Sequence, residues 1–130
     1  MTLLDYLKEN NINYTESKDG LTIGRDLNLR GTGITELPNG LTVWGHLDLE
    51  GTSITKLPDN LTVGGYLDLD DTGVMELPNG LTVDRDLYLI GTGVTELPND
   101  LKVGRDLYLR GIDVTELPDN LTVGGFIYYK

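Results

Sequence analysis

The stretch LTIGRDLNLRGTGITELPNG at positions 21–40 decides the fold, because the chain repeats it in register to its end. The next repeats are LTVWGHLDLEGTSITKLPDN (41–60), LTVGGYLDLDDTGVMELPNG (61–80), LTVDRDLYLIGTGVTELPND (81–100) and LKVGRDLYLRGIDVTELPDN (101–120), followed by the half repeat LTVGGFIYYK (121–130). A period of 20 residues without a slip predicts a solenoid in which each repeat forms one coil.

Six positions stay apolar in every full repeat, and in the first they are Leu21, Ile23, Leu27, Leu29, Ile34 and Leu37. Leu27 and Leu29 alternate with polar residues, which is the period of a half-buried strand. Pro38 cannot donate a ladder hydrogen bond, so we expect an irregular corner there. One coil cannot bury its own apolar edge, whereas stacked coils can.

The first 20 residues differ from the repeats, and we expect them to cap the stack. Segment 2–10 predicts a short helix, because Thr2 and Asp5 have the spacing of a capping box. Residues 12–20 align with the second half of a repeat and are interpreted as a degenerate half repeat. We therefore predict one domain, with a helical cap and half repeat over 1–20 and five repeats plus a half over 21–130.

The last half repeat, 121–130, carries no cap of its own. An uncapped strand edge invites pairing with another chain. This edge is therefore a candidate surface for a homodimer through the C-terminal coil.

A family resemblance rests on the pattern LxLxxTxIxxLP with another leucine three residues after the proline, carried in the first repeat by Leu27, Leu29, Thr32, Ile34, Leu37 and Pro38. This pattern resembles the leucine-rich repeat. It is most similar to the short 20-residue repeats of bacterial secreted effectors and to LTVGGxLxLxGT arrays in bacteria and phages. The resemblance implies a mainly β, right-handed, leucine-rich-repeat-like β-solenoid of about five coils with an N-terminal capping helix. It also implies a scaffold that binds partner proteins through exposed strand residues.

Two positions depart from that family pattern. Threonine stands at the usual asparagine ladder position in four repeats, from Thr32 to Thr92, and Ile112 stands there in the fifth. The family also has an apolar residue three positions before the first strand leucine, where this chain has Gly24 and Trp44 in its first two repeats. A three-sided β-solenoid is therefore the structural alternative.

Charge and composition narrow the classes of partner. The net charge is −11, and a chain this acidic is repelled by nucleic-acid phosphates and by anionic membranes. We therefore expect no direct nucleic-acid binding, no membrane partner, and a protein partner that can have a basic surface. There is no cysteine, no apolar run of membrane-spanning length and no secretory signal, so we expect a cytoplasmic protein of the producing or host cell.

The inventory of reactive side chains is small. His46 is the only histidine, and Ser17 and Ser53 are the only serines. No nucleophile, base and orienting group can be assembled from this set, so we expect no enzyme, no catalytic residue, no cofactor and no bound metal.

The strand positions that vary between repeats are the candidates for function, and they carry even numbers. Alternation places them on one side of each strand, so stacked coils present them as an array. The predicted partner-binding residues are Trp44, His46, Asp48, Glu50, Tyr66, Asp68, Asp70, Asp86, Tyr88, Ile90, Tyr108, Arg110, Phe126 and Tyr128.

Two groups stand out in that array: an acidic patch of Asp48, Glu50, Asp68 and Asp70, and an aromatic column of Tyr88, Tyr108 and Tyr128. Aromatic residues beside charges are typical of interaction hot spots. We expect a non-enzymatic repeat module that binds a partner protein through this face. The alternative is an acidic phage-type inhibitor, a DNA mimic that blocks a basic nucleic-acid-binding surface of a host defence protein. Binding by a mimic would weaken steeply with salt.

Overall fold

The computed structural model describes residues 1–129 and shows a mainly β solenoid with one short N-terminal helix. The helix α1 spans Leu3–Glu9. The strands are β1 (Thr15–Ser17), β2 (Gly20–Ile23), β3 (Leu27–Asn28), β4 (Thr42–Val43), β5 (Leu47–Asp48), β6 (Thr62–Val63), β7 (Leu67–Asp68), β8 (Thr82–Val83), β9 (Leu87–Tyr88), β10 (Lys102–Val103), β11 (Leu107–Tyr108), β12 (Thr122–Val123) and β13 (Ile127–Tyr128).

Each coil contributes one strand to each of two sheets. The first sheet has the order β1-β2-β4-β6-β8-β10-β12, and the second has the order β3-β5-β7-β9-β11-β13. From β2 onward, neighbouring strands run parallel and pair residues 20 apart, as Leu47 pairs with Leu67. This register confirms the period read from the sequence.

The core runs as one layer along the axis of the solenoid. All six apolar positions are buried in the second, third and fourth repeats, from Leu41 to Leu97. Leu37 of the first repeat is only partly buried. Val114 and Leu117 of the fifth repeat are also only partly buried. The end coils lack a neighbour on one side, so their side chains lose cover there.

The third stretch of each repeat, from the threonine to the proline, forms no strand among the described residues. The threonine hydroxyl forms a hydrogen bond with a backbone carbonyl of its own coil. Thr52 Oγ1 donates to the carbonyl of Leu49 (2.7 Å), and Thr72 Oγ1 donates to that of Leu69 (2.7 Å). Isolated backbone hydrogen bonds link some coils on this side. One of them runs from the Gly93 N–H to the Val74 carbonyl (2.9 Å). The two sheets therefore carry most of the coil-to-coil pairing.

The N-terminal segment caps the first coil. Thr2 and Asp5 form the predicted capping box, and Leu3 and Leu7 of α1 are buried in the common core. Residues 15–17 form β1, which pairs antiparallel with β2 and covers the edge of the first sheet. The segment expected to be a degenerate half repeat thus closes that edge as a hairpin.

Within residues 1–129, α1 is the one helix, and it has seven residues. No described helix is long and apolar enough to cross a membrane, which takes about 20 residues.

Candidate partner-binding face

The outward side of the second sheet, which we name the strand face, carries the variable residues that the sequence analysis singled out. Strand pairing aligns one row along the axis: Asn28, Asp48, Asp68, Tyr88, Tyr108 and Tyr128. The residues two positions before them and two positions after them flank this row. The structure therefore brings most of the predicted site residues together on one surface.

Five rings form a continuous aromatic ladder along the strand face. Tyr88 stacks on Tyr108 with ring centroids 4.6 Å apart, and Tyr108 stacks on Tyr128 at 4.8 Å. Tyr66 meets Tyr88 edge to face at 5.9 Å and stacks on His46 at 4.0 Å. The sequence analysis found the tyrosine column but missed its extension to His46, because the ladder crosses from one row to the next between Tyr66 and Tyr88.

The row that begins at Asp26 links the coils through side chain to backbone hydrogen bonds. Asp26 Oδ1 accepts from the His46 N–H (2.8 Å), and His46 Nδ1 accepts from the Tyr66 N–H (2.9 Å). The same bond recurs from Asp86 to the Asp106 N–H (3.0 Å) and from Asp106 to the Phe126 N–H (2.9 Å). His46 and Asp86, both predicted to bind a partner, therefore also hold neighbouring coils together.

Arg30 lies across the acidic patch. Its Nε is 2.9 Å from Asp48 Oδ2, its Nη2 contacts Glu50 Oε2, and the same Nη2 is 3.9 Å from Asp68 Oδ2. The hydrogen bond to Asp48 raises the pKa of Arg30, so the guanidinium keeps its charge. The sequence analysis did not assign this role to Arg30, although its position one coil before Glu50 in the same row was the available signal.

The expectation that this whole face is exposed is wrong for two of its residues. Asp48 and Asp68 keep only 7% and 9% of their accessible surface. Both lie in the central row, where Arg30 is within 4.0 Å of each carboxylate and Tyr88 pairs in register with Asp68. Burial raises the pKa of Asp68 to about 6, against one hydrogen bond from the Asp70 N–H that favours the charged form.

The other acidic residues remain accessible at the margin of the face. Glu50 and Asp70 are half-buried, and Asp70 Oδ1 accepts from the Ile90 N–H of the next coil (2.8 Å). Burial raises the pKa of Asp70 as well. Asp48 Oδ1 accepts from the Glu50 N–H (3.1 Å), so the carboxylates are held in place by backbone donors.

The pKa values of three hydroxyl groups in the ladder, those of Tyr66, Tyr88 and Tyr108, are raised. Burial, followed by the charge of Asp86, raises the pKa of Tyr88 to about 12, and its hydroxyl donates to Asp86 Oδ2 (3.4 Å). Burial also raises the pKa of Tyr66 and Tyr108. The ladder therefore offers neutral ring edges and hydroxyl groups next to carboxylates.

The remaining predicted residues lie at the margins of the strand face. Trp44 is 56% exposed and lies in the bend between β4 and β5, so it belongs to the corner between the sheets. Phe126 is 70% exposed beside Tyr128, and Arg110 is exposed at the far end. Lys130, the last even-numbered position, lies outside the described residues.

The carboxylates of Asp48, Glu50 and Asp68 each offer an oxygen within 4.8 Å of the others. Such a cluster has the composition of a cation site, but the cation that it holds is the Arg30 guanidinium. A metal ion would have to displace this side chain, whose ion pairs already compensate the clustered charge.

A separate apolar groove of about 470 Å³ lies between the start of α1 and the first coil. Leu4, Leu21, Leu37 and Pro38 line it, with Glu36 at its rim. None of the predicted site residues contributes to this groove, so it is distinct from the strand face.

Comparison of the chain with protein-family models, with curated proteins and with solved structures finds no match. The β-solenoid with its 20-residue repeat follows from the strand pairing, and kinship with bacterial or phage leucine-rich repeats stays a prediction from the repeat pattern.

Proposed function

We propose that the chain is a non-enzymatic protein-binding module that recognises a partner protein through the strand face. The observation that carries this proposal is the aromatic ladder from His46 to Tyr128, which places five rings in continuous stacked and edge-to-face contact on one accessible surface. Tyrosine supplies a large, rigid contact area at a low cost in conformational entropy. Stacking restricts these side chains before any partner arrives, which lowers the cost of binding further.

Apolar residues extend the proposed contact area on both sides of the ladder. Ile90 lies beside Tyr88 on the same strand margin, and Phe126 packs near Tyr128 with ring centroids 6.2 Å apart. A partly desolvated aromatic centre with charged residues at its margin is the usual anatomy of a protein interface. The resemblance of the repeats supports a bacterial or phage module, and the lack of cysteine and of an apolar run of membrane-spanning length supports the cytoplasm as its setting.

The alternative of a DNA mimic depends on an array of free carboxylates. Arg30 pairs closely with Asp48 and Glu50 and lies 3.9 Å from Asp68, so the half of the acidic patch formed by Asp48 and Glu50 carries its own counter-charge. Among residues 1–129 the ion pairs are those of Arg30, and none of them involves the aromatic ladder, so the protein-binding proposal is the better supported of the two.

Affinity capture with matched variants tests the proposal. The wild-type chain is used as bait in a lysate of the cells that produce it, at low and high salt, and the captured protein is then purified and its affinity measured. We expect Tyr108→Ala to weaken binding by about 30-fold, as for a hot spot worth about 2 kcal/mol. Met75→Ala, which removes an exposed apolar side chain on the third stretch, is expected to bind like the wild type.

Two further measurements separate the interface from a folding defect. Ile90→Lys leaves the ring stack in place and should also weaken binding, and hydrogen exchange should show protection of β9 and β11 in the complex. Wild-type affinity in Tyr108→Ala, or protection confined to the third stretch, would overturn the proposal. Binding that vanishes at high salt and depends on Asp70 alone would instead favour the mimic.

A further inference from the structure

Arg30 shows how the strand face binds a guanidinium group. Its Nε lies 2.9 Å from Asp48 and its Nη2 contacts Glu50, so one planar group bridges two carboxylates that are two residues apart on one coil. Backbone geometry prepares this pair, because the Glu50 N–H donates to Asp48 Oδ1 (3.1 Å) and holds the Asp48 side chain in place. Bridging of this kind suits the fixed fork of arginine better than the point charge of lysine.

The same pair recurs one coil later as Asp68 and Asp70. Asp68 pairs in register with Asp48, and the Asp70 N–H donates to Asp68 Oδ1 (2.9 Å) just as in the previous coil. For the first pair, Arg30 lies one coil before Glu50 at the equivalent repeat position. For the second pair, the equivalent position one coil before Asp70 holds Glu50, which carries no positive charge. Among the described residues, the one cation within 4.0 Å of this second pair is Arg30, at 3.9 Å from Asp68 and beyond hydrogen-bonding distance.

Aromatic rings stand beside the second pair. Tyr66 and Tyr88 meet edge to face, with ring centroids 5.9 Å apart. Tyr66 lies in the same coil as Asp68, and Tyr88 pairs in register with Asp68 from the next coil. Burial and then the charges of Asp48 and Asp68 raise the pKa of Tyr66, so its hydroxyl is electrically coupled to these carboxylates. A planar guanidinium can pair with the carboxylates and contact the rings at the same time.

We propose, on the basis of the proposed function, that Asp68 and Asp70 bind an arginine side chain of the partner protein, whose neighbouring apolar residues contact Ile90 and Tyr108. The partner is thus a protein segment with an arginine next to apolar side chains. Charge complementarity argues for this occupant, because the chain carries a net charge of −11 and this pair lacks a hydrogen-bonded counter-ion among residues 1–129. Arg30 already shows the corresponding bound state on the preceding coil.

A titration followed by NMR tests the proposal with a defined probe. The probe is the acetylated, amidated dipeptide Arg-Leu, and its matched control replaces arginine with the neutral isostere citrulline. We expect Arg-Leu to shift the side-chain signals of Tyr66, Tyr88, Asp68 and Asp70, with a Kd on the order of 1–10 mM. The citrulline probe should cause no comparable shift at these residues.

Two protein variants make the result specific. Asp70→Asn keeps the acceptor for the Ile90 N–H and should weaken probe binding roughly fivefold. Glu96→Gln removes an exposed carboxylate on the third stretch and should leave probe binding unchanged. Shifts spread equally over Glu36, Glu76 and Glu96, or equal binding of the citrulline probe, would overturn the proposal.

The outcome is independent of the capture experiment. Specific binding of Arg-Leu with no loss of partner in Tyr108→Ala would support the arginine-binding position and overturn the aromatic-centred function. Loss of partner in Tyr108→Ala without specific shifts from Arg-Leu would support the function and overturn the arginine-binding position.

Discussion

Several aspartate side chains of the strand face point outward and also accept a hydrogen bond from a backbone N–H. Asp26 and Asp106 accept from an N–H of the following coil, whereas Asp48 and Asp68 accept from an N–H of their own coil. Asn28 makes the same bond as Asp48, with Oδ1 accepting from the Arg30 N–H (3.0 Å). An amide therefore satisfies this backbone donor as well as a carboxylate does, and the charge of Asp68 is not needed for the fold.

This equivalence predicts that Asp68→Asn stabilises the protein at neutral pH. The pKa of Asp68 is raised to about 6, above its unfolded value near 4, so the folded state binds the proton more tightly. Ionisation of Asp68 therefore costs the wild type stability as pH rises from about 4 to about 6, and the amide variant lacks this contribution. Allowing for solvent screening, we expect a gain of about 1 kcal/mol above pH ~6.5 and none below pH ~4.

Thermal denaturation between pH 3.5 and 8, followed by circular dichroism, measures this difference. Asp48→Asn is the matched control, because Asp48 is equally buried but bonds directly to Arg30 at 2.9 Å. We expect no stabilisation from Asp48→Asn. A difference between Asp68→Asn and the wild type that does not vary with pH would contradict the assigned cause.

At the scale of elements, the strands are too short to hold the stack by themselves. From β3 onward each strand has two residues, and the loops between them add further coil-to-coil bonds such as Leu49 N–H to Asp68 carbonyl (2.9 Å). The helix α1 supplies the missing neighbour for the first coil, with Leu3 and Leu7 buried in the core. The Tyr6 hydroxyl also reaches the Asn28 carbonyl (3.4 Å).

The cap is therefore predicted to contribute to stability through one face of α1. Leu7→Ala removes a side chain with no exposed surface and should cost about 2–4 kcal/mol. Leu4→Ala alters a half-buried residue of the same helix and should cost less than about 1 kcal/mol. Urea denaturation gives both values, and native-state hydrogen exchange should show faster exchange in β2 and β3 for Leu7→Ala. Equal costs for the two variants would show that α1 does not act as a cap.

Across the whole molecule, acidic charge exceeds basic charge by a wide margin. The chain has 21 acidic and 10 basic residues, and among residues 1–129 every ion pair within 4.0 Å involves Arg30. Stacking places like charges of successive coils close together, as with Glu50 and Asp70. Repulsion between carboxylates therefore outweighs attraction in the folded state.

We predict that added salt stabilises the protein. Raising NaCl from about 20 mM to about 300 mM shortens the Debye length from roughly 20 Å to roughly 6 Å and screens this repulsion. The melting temperature at pH 7.5 should rise by a few degrees. For a domain of this size, such a rise corresponds to a gain of about 1 kcal/mol in the free energy of unfolding. The same titration at pH 4, where many carboxylates are protonated, should give a smaller rise. A melting temperature that falls with salt at pH 7.5 would mean that the ion pairs of Arg30 dominate.

Much of this molecule follows from the repeat pattern alone. The 20-residue period determines the strand register, alternation determines that Leu47 and Leu49 point inward, and the spacing of Thr2 and Asp5 determines the start of α1. These features depend on backbone periodicity and on local hydrogen bonding, which a linear sequence expresses directly. The pattern also placed the tyrosine column on one row.

Only the tertiary structure decided how the side chains of the strand face meet, within one row and between rows. The stack of His46 on Tyr66, the edge contact of Tyr66 with Tyr88, and the reach of Arg30 across two coils depend on rotamers and on the offset between coils. Asp68 is buried to nearly the same extent as Asp48, its counterpart one coil earlier. The sequence by itself thus determined which residues share the strand face, whereas three-dimensional packing decided which of them are paired, stacked or accessible, because these contacts depend on side-chain rotamers and because some of them, such as Tyr66 with Tyr88 and Arg30 with Asp48, join residues that are not 20 apart.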